Sequence, residues 1–512
     1  MHLLPRSARA ALACALLAAL PPAARAQAGR DDPAPPVERG GGAEEERPRD
    51  ILLRTEAHDQ QAGAQVAKEV EAEFGLVEDP ELLAYVSAVG QRLARVAPDR
   101  SFVYRFQIVD QEAPNAFALP GGYVYVSRGL LALANSEEEL GNVLAHEIMH
   151  VALRHAAAQQ QRALAIPGPF RVFALGTLMQ YSRDQEREAD RQGQDLAARA
   201  GYDPRGMASF LKDLDHTERL RFGVSRLPSF FDTHPATTER VATASSRAEL
   251  SSFRPVPGIA ASRADYLRRI EGIKLGISAA EGVFQENLFL HADLDLALRF
   301  PAGWETQNTR RAVGAISRRR DGMVYLEHGG KGEDPAAAAR EYLEKQGAEM
   351  GLQVLSSLPV AIGDRSAWRA SGVSGLPGPN GETTHFVITW IAHGGSIFRL
   401  TGVAAGGARS RYEGTFLNAA RSFRPLTPEE RGSIRERVLH VALARPGERL
   451  AELGARTGNQ WDVQQTAVMN DLFANDRLAA GQLVKVAVLR GYESAPPSEV
   501  VSEPPPAGPG EG

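Results

Sequence analysis

The stretch from Gly141 to His155, GNVLAHEIMHVALRH, constrains this chain more than any other. Its apolar residues recur at helical spacing, and inside it His146-Glu147-Ile148-Met149-His150 forms an H-E-x-x-H pattern. Side chains four apart on a helix return to one face, so the two imidazoles can grip a single zinc ion. Glu147 falls beside that metal, where it can take a proton from a zinc-activated water. Ser136 with Glu139 makes a capping box ahead of Leu140, Val143 and Leu144, which starts the helix cleanly.

A catalytic zinc site has three protein ligands and one open position. His155 lies nine residues beyond His146, about 180° round a continuous helix, and is expected to point away from the metal. The longer pattern H-E-x-x-H-x-x-G-x-x-H is absent, because Leu153 and Ala156 stand where its Gly and third His belong. The third ligand is therefore sought in Tyr181 to Gly201, YSRDQEREADRQGQDLAARAG, a helix capped by Ser182 with Gln185 and closed by Gly201. Glu186 and Asp190 share a face there. One of them reaches the metal while the other holds a ligand imidazole in its tautomer.

These residues carry a resemblance. Asn115-Ala116-Phe117-Ala118-Leu119-Pro120-Gly121-Gly122, then H-E-x-x-H-V-x-x-R-H, then S-R-x-x-E-x-E-A-D resemble zinc metallopeptidase family 48, the gluzincins of the HtpX and BepA kind. The resemblance covers roughly residues 52 to 275. It implies His146, His150 and Glu186 as ligands of one Zn2+ per chain, Glu147 as general base and Asp190 as the partner of a ligand. It also draws in Thr233-His234-Pro235 and Arg240, since in the family such a loop lies at the active site. There His234 and Arg240 would stabilise the transition state or close the open metal position.

The rest of the chain supplies context. Residues 1–28 read as an export signal: Arg6 and Arg9, a short apolar core from Ala10 to Leu20, and a small-residue cleavage site at Ala24-Arg25-Ala26. That core is too short for a stable transmembrane anchor. Removing it leaves 55 Lys and Arg against 63 Asp and Glu, a net charge of −8, which excludes a broad basic surface for nucleic acid. The only cysteine, Cys14, lies in the signal, and export without disulfides fits a Gram-negative periplasm. Residues 29–50 are a disordered lead-in and 493–512 a Pro-rich disordered tail.

From residue 51 an α+β chain of about three domains is expected. The first, 51–275, is a mainly helical peptidase domain with a small sheet. Pro120 suggests that its Gly122–Ser127 strand is a sheet edge, so Gly122, Tyr123, Val124 and Tyr125 are candidates for pairing with an extended substrate. Ala163 to Gln180 is apolar but interrupted by Pro167, Gly168 and Pro169, too short to span a membrane. Residues 287–425 alternate like strands of a mostly antiparallel sheet, with helices after Asp334 and from Arg409 to Phe423. Residues 437–490 form a separate βααβ module resembling the LysM fold, which implies binding to peptidoglycan-type glycan.

The combined expectation is an exported zinc metalloendopeptidase acting on protein or peptide substrates of the envelope, misfolded ones among them. The competing expectation is an envelope chaperone or glycan-binding scaffold whose zinc site is gated and mostly inactive.

Overall fold

A computed structural model describes residues 56–155, 181–220, 230, 234, 238–310, 312–375 and 383–493. The expected signal, lead-in, Ala163–Gln180 stretch and nearly all of the tail lie outside them, as do Thr233 and Pro235. The chain divides into two compact units. One comprises the N-terminal part through Gly276 together with Arg437–Val488, the other Ile277–Glu436 and the residues from Leu489 onward.

In the first unit, helices α1 (Glu56–Phe74), α2 (Pro80–Ala94), α3 (Arg128–Leu133), α4 (Glu137–Ala152), α5 (Arg183–Arg199), α6 (Arg205–Leu220), α7 (Thr238–Leu250) and α8 (Arg263–Arg269) gather round a small sheet. Side chains of Asp79, Ser127, Ser136, Ser182 and Ser262 accept bonds from the orphan amides at their helix starts. Helix α4 runs through the middle of the core, and from Leu140 to Ala152 every residue on it is buried. After α8, Gly272 turns with φ of 83°, and Lys274–Leu275 continues as strand.

The small sheet has the order β1 (Arg105–Val109), β3 (Tyr123–Ser127), β2 (Ala116–Leu119). This corrects the expected substrate edge. Tyr123, Val124 and Tyr125 pair on one side with Arg105, Phe106 and Gln107 and on the other with Leu119, Ala118 and Phe117. Gly122 lies in the turn ahead of them. Their strand is central, so its backbone cannot accept an added chain. Pro120 is also explained: it sits in the β2–β3 turn, where its missing amide costs no ladder bond. Gly121 and Gly122 complete that turn with φ of 82° and 91°, and a Cβ on Gly122 would lie 2.9 Å from the Val103 carbonyl oxygen. The edges are β1 and β2, and β2 is buried along its length.

Arg437–Val488 is built into this unit rather than standing as the separate module expected. The βααβ order is present as Arg435–Leu443, Leu450–Thr457, Val463–Met469 and Leu483–Gly491. Both faces of the last strand are covered from Val484 to Ala487. Val484 and Val486 face a local core with Leu450, Leu453 and Leu478, while Ala487 joins Leu439, Trp461 and Met469 in the core that surrounds α4. Lys485, fully buried, donates from Nζ to the carbonyls of Ala132, Leu133 and Ala134 at 2.8, 2.8 and 3.0 Å. It thereby caps the C-terminus of α3 from a position 350 residues away in sequence, a place where cations are favoured.

The second unit holds a seven-stranded antiparallel sheet. Its order is Leu352–Ile362, Arg365–Ser374, Thr384–His393, Ser396–Ala405, Gly322–Lys331, Ala312–Ile316, Glu305–Asn308. A meander of Val283–Gln285, Leu288–His291 and Leu296–Arg299 and the helices Pro335–Tyr342 and Arg409–Arg421 accompany it. The expected antiparallel α+β character is present. The edge strand Leu352–Ile362 is exposed over most of its length and carries Pro359, which an edge tolerates.

Candidate metal centre

One turn of α4 brings His146 and His150 together, their Nε2 atoms 3.0 Å apart and both rings fully buried. Helix α5 packs closely across them. A Cβ on Gly193 would lie 3.0 Å from the His146 backbone, so the glycine allows the approach. From α5, Glu186 places Oε1 3.4 Å from His150 Nε2 and Oε2 3.7 Å from His146 Nε2. The sequence left Glu186 and Asp190 open as the third ligand on spacing alone, and the geometry separates them. Asp190 lies behind His146, its Oδ1 3.0 Å from Nδ1.

His234 completes the cluster. Its Nδ1 is 2.7 Å from Glu186 Oε1 and 3.3 Å from His146 Nε2, while Nε2 faces Glu147 Oε1 at 3.4 Å. His146, His150, Glu186 and His234 each offer a ligand atom within 4.8 Å of the others. Phe230 stacks on the His234 ring, with centroids 4.5 Å apart. Tyr181 stacks on His150 at 3.8 Å and 19°, a contact that no sequence pattern announced.

Arg240 on α7 has a different task from the one expected. Its Nε and one terminal nitrogen donate to the two oxygens of Asp190, both at 2.7 Å, and the other terminal nitrogen reaches Glu186 Oε2 at 2.9 Å. A guanidinium fork held by two carboxylates orients them and is not aimed at an oxyanion.

Charge follows from these contacts. Burial opposes ionisation of Glu186, but His234, His150 and His146 outweigh it and hold the carboxyl well below the usual range. Burial also opposes the Asp190 charge, and Arg240 and His146 override it in the same direction. Burial and then the neighbouring His146 depress His150, so that ring stays neutral, the form that binds metal. Burial raises Glu147 despite His234 and His146, which suits a proton acceptor.

This donor set fits zinc. Two imidazole nitrogens and a carboxylate oxygen converge in a buried place, and both Glu147 oxygens and His234 Nε2 are buried without a hydrogen-bond partner. Several such atoms converging on one donor set leave room for an ion, a water or a substrate group to bond there.

His155 lies outside the group of possible ligands, but it does not point away from them. Helix α4 closes at Leu153, with Arg154 left-handed at φ of 58°. The His155 amide then bonds the His150 carbonyl at 3.0 Å and the Arg154 amide that of Val151 at 3.0 Å, the two bonds of a Schellman stop. The stop folds His155 back under His150.

Comparison with known proteins agrees with this geometry. Residues 80–167 and 158–248 match the family model described as "Peptidase family M48". The chain is 33% identical over 225 residues to the beta-barrel assembly-enhancing protease of Yersinia pestis, covering 39% of this chain and 45% of that one. It is 31% identical over 221 residues to the protein of the same name from Escherichia coli K12, covering 38% and 44%. Over 192 residues it is 31% identical to the mitochondrial metalloendopeptidase OMA1 of Schizosaccharomyces pombe, covering 34% and 56%. The chain thus spans about half the length of the curated relatives it matches.

Proposed function

We propose that this chain, whose residues 80–167 and 158–248 match the peptidase family M48 model, is a zinc-dependent endopeptidase acting on proteins of the cell envelope. The observation that carries the reading is the buried donor set His146, His150 and Glu186 beside an unbonded Glu147. Zinc held by those three residues supplies a Lewis acid that polarises the scissile carbonyl and makes water nucleophilic at neutral pH. Glu147 accepts the proton of the attacking water and returns it to the leaving amine. His234 Nε2, buried and unbonded, donates to the carbonyl oxygen as charge develops there. Asp190, fixed by Arg240, keeps the His146 proton on Nδ1 and leaves Nε2 for the metal.

The envelope as workplace rests on the export signal read in residues 1–28 and on the printed name of the bacterial relatives. No helix among the described residues is long and apolar enough to cross a membrane. Glycan binding by residues 437–490 rests on their βααβ order, and sedimentation of the whole chain with purified peptidoglycan tests it.

The purified chain is expected to cleave unfolded casein, to stop when a chelator strips its metal and to recover on adding zinc. Cleavage undiminished by the chelator overturns the proposal.

A second reading is favoured by the place of His234. Because its Nδ1 lies within the ligand group, His234 would take the fourth metal position in the resting protein, and the site would be gated. In the extreme form of this reading, the chain is a chaperone or scaffold with its site kept shut. A gate predicts that His234→Ala raises basal cleavage, whereas a pure donor predicts a loss of roughly 10²–10³ in rate.

A further inference from the structure

The two ligand imidazoles are held from behind by different chemistry. Behind His146 stands a carboxylate, Asp190, with its own guanidinium clamp. Behind His150 stands another imidazole: His155 Nδ1 lies 3.0 Å from His150 Nδ1, with both side chains buried. We propose that His155 is the positioning residue for His150, accepting its Nδ1 proton and so committing Nε2 to the metal.

The proton positions follow from the chemistry of neutral imidazole, which carries one donor and one acceptor nitrogen. If His150 Nε2 offers a lone pair to the metal, its proton sits on Nδ1. The group 3.0 Å away, His155 Nδ1, is then the acceptor, and the His155 proton sits on Nε2. That nitrogen faces the Glu188 carboxylate at 3.6 Å, on the same helix that supplies Glu186. The orientation runs from Glu188 through His155 and His150 to the ligand nitrogen. With His150 neutral and its Nε2 lone pair on the metal, no other arrangement of protons lets both contacts be favourable.

The backbone brings the two rings together. In a Schellman stop the residue two past the cap packs against the residue three turn positions before it, usually as an apolar pair. Here those two residues are His155 and His150, so the device that ends the helix also seats the partner of the ligand. Tyr181 covers the face of the His150 ring, leaving His155 to fix its edge.

The proposal rests on His150 being a metal ligand, and the test separates the two. Zinc affinity is measured by competition with a chromophoric chelator for the parent and for His155→Leu, His155→Gln and His150→Ala. His155→Leu is expected to weaken zinc binding by about 10–100-fold while melting like the parent without metal. His155→Gln, whose amide oxygen can accept the same proton, is expected to recover most of that loss. In zinc-loaded parent protein, nitrogen-15 spectra are expected to show a slowly exchanging proton on His150 Nδ1, and His155→Leu is expected to lose its protection. Parental affinity in His155→Leu together with weak binding in His150→Ala overturns the positioning role and leaves the metal site standing. Equal weakening by Leu and Gln contradicts the acceptor role. Parental affinity in His150→Ala removes the ligand reading itself.

Discussion

The two units bury charge in opposite ways. In the first, seven ionisable side chains, His146, Glu147, His150, Glu186, Asp190, His234 and Arg240, are packed together with almost no access to water. In the second, the main core is aliphatic and aromatic, built from residues such as Phe289, Leu298, Phe300, Val324, Leu400 and Phe423. Two ion pairs there, Arg424 with Glu430 at 2.6 Å and Arg411 with Asp321 at 2.6 Å, stand at or near the surface, and the more sheltered pair, Arg399 with Glu327 at 2.6 Å, stands alone rather than in a cluster. Burying charges costs several kcal/mol per ion unless each is paired, so such a cluster persists where chemistry uses it. The second unit shows no comparable concentration among its described residues, and its sheet needs none to fold.

Breaking one ion pair in each unit tests the contrast. Arg240→Ala leaves Asp190 and Glu186 buried without their guanidinium, and is expected to destabilise the metal-free protein by about 3–5 kcal/mol. Arg424→Ala removes a partly exposed partner of Glu430 and is expected to cost under about 1 kcal/mol. That smaller contribution depends on pH. The Arg424 bond, against slight burial, holds Glu430 down at about 2, below its unfolded value, so the stabilisation is present above pH of about 4.5 and fades as pH falls toward about 2. Urea denaturation of each variant across pH checks both. Equal losses, or a larger one from Arg424→Ala, break the comparison.

A smaller effect than Arg240→Ala is expected where the first unit binds its own C-terminal segment. Lys485→Met keeps the stem but leaves three carbonyls at the end of α3 without a donor, at a cost of about 1–3 kcal/mol. If this segment were a free appendage, the variant would melt like the parent in its peptidase part. Zinc affinity and melting of the whole chain distinguish the two.

How far the sequence could be read follows from these same residues. The ligand pair on α4 and the Glu186–Asp190 face on α5 depend only on helical period, and capping serines fixed where both helices begin. His155 misled because a helix stop was needed to place it. Arg154 adopts the left-handed turn without the glycine that normally announces one. The strand Tyr123–Ser127 was assigned to an edge because Pro120 was credited to the ladder instead of the turn. Lys485 sits in an alternating strand, and its full burial reveals a segment joined to the core of the first unit. Local periodicity was legible; the partners that arrive from distant sequence were not. His234 and Arg240 came from the family resemblance, and the role expected of Arg240 changed once its two carboxylates were in view.

The division of labour between ligands and base is the centre of this account, and metal content read beside cleavage tests it most directly. Parent, Glu147→Gln and Glu186→Ala proteins are dialysed against a weak chelator, assayed for zinc and then for casein cleavage. The account predicts one zinc per chain in the parent and in Glu147→Gln, no cleavage by Glu147→Gln, and loss of both zinc and cleavage in Glu186→Ala. Zinc held by Glu186→Ala as tightly as by the parent, or cleavage surviving in Glu147→Gln, would contradict it.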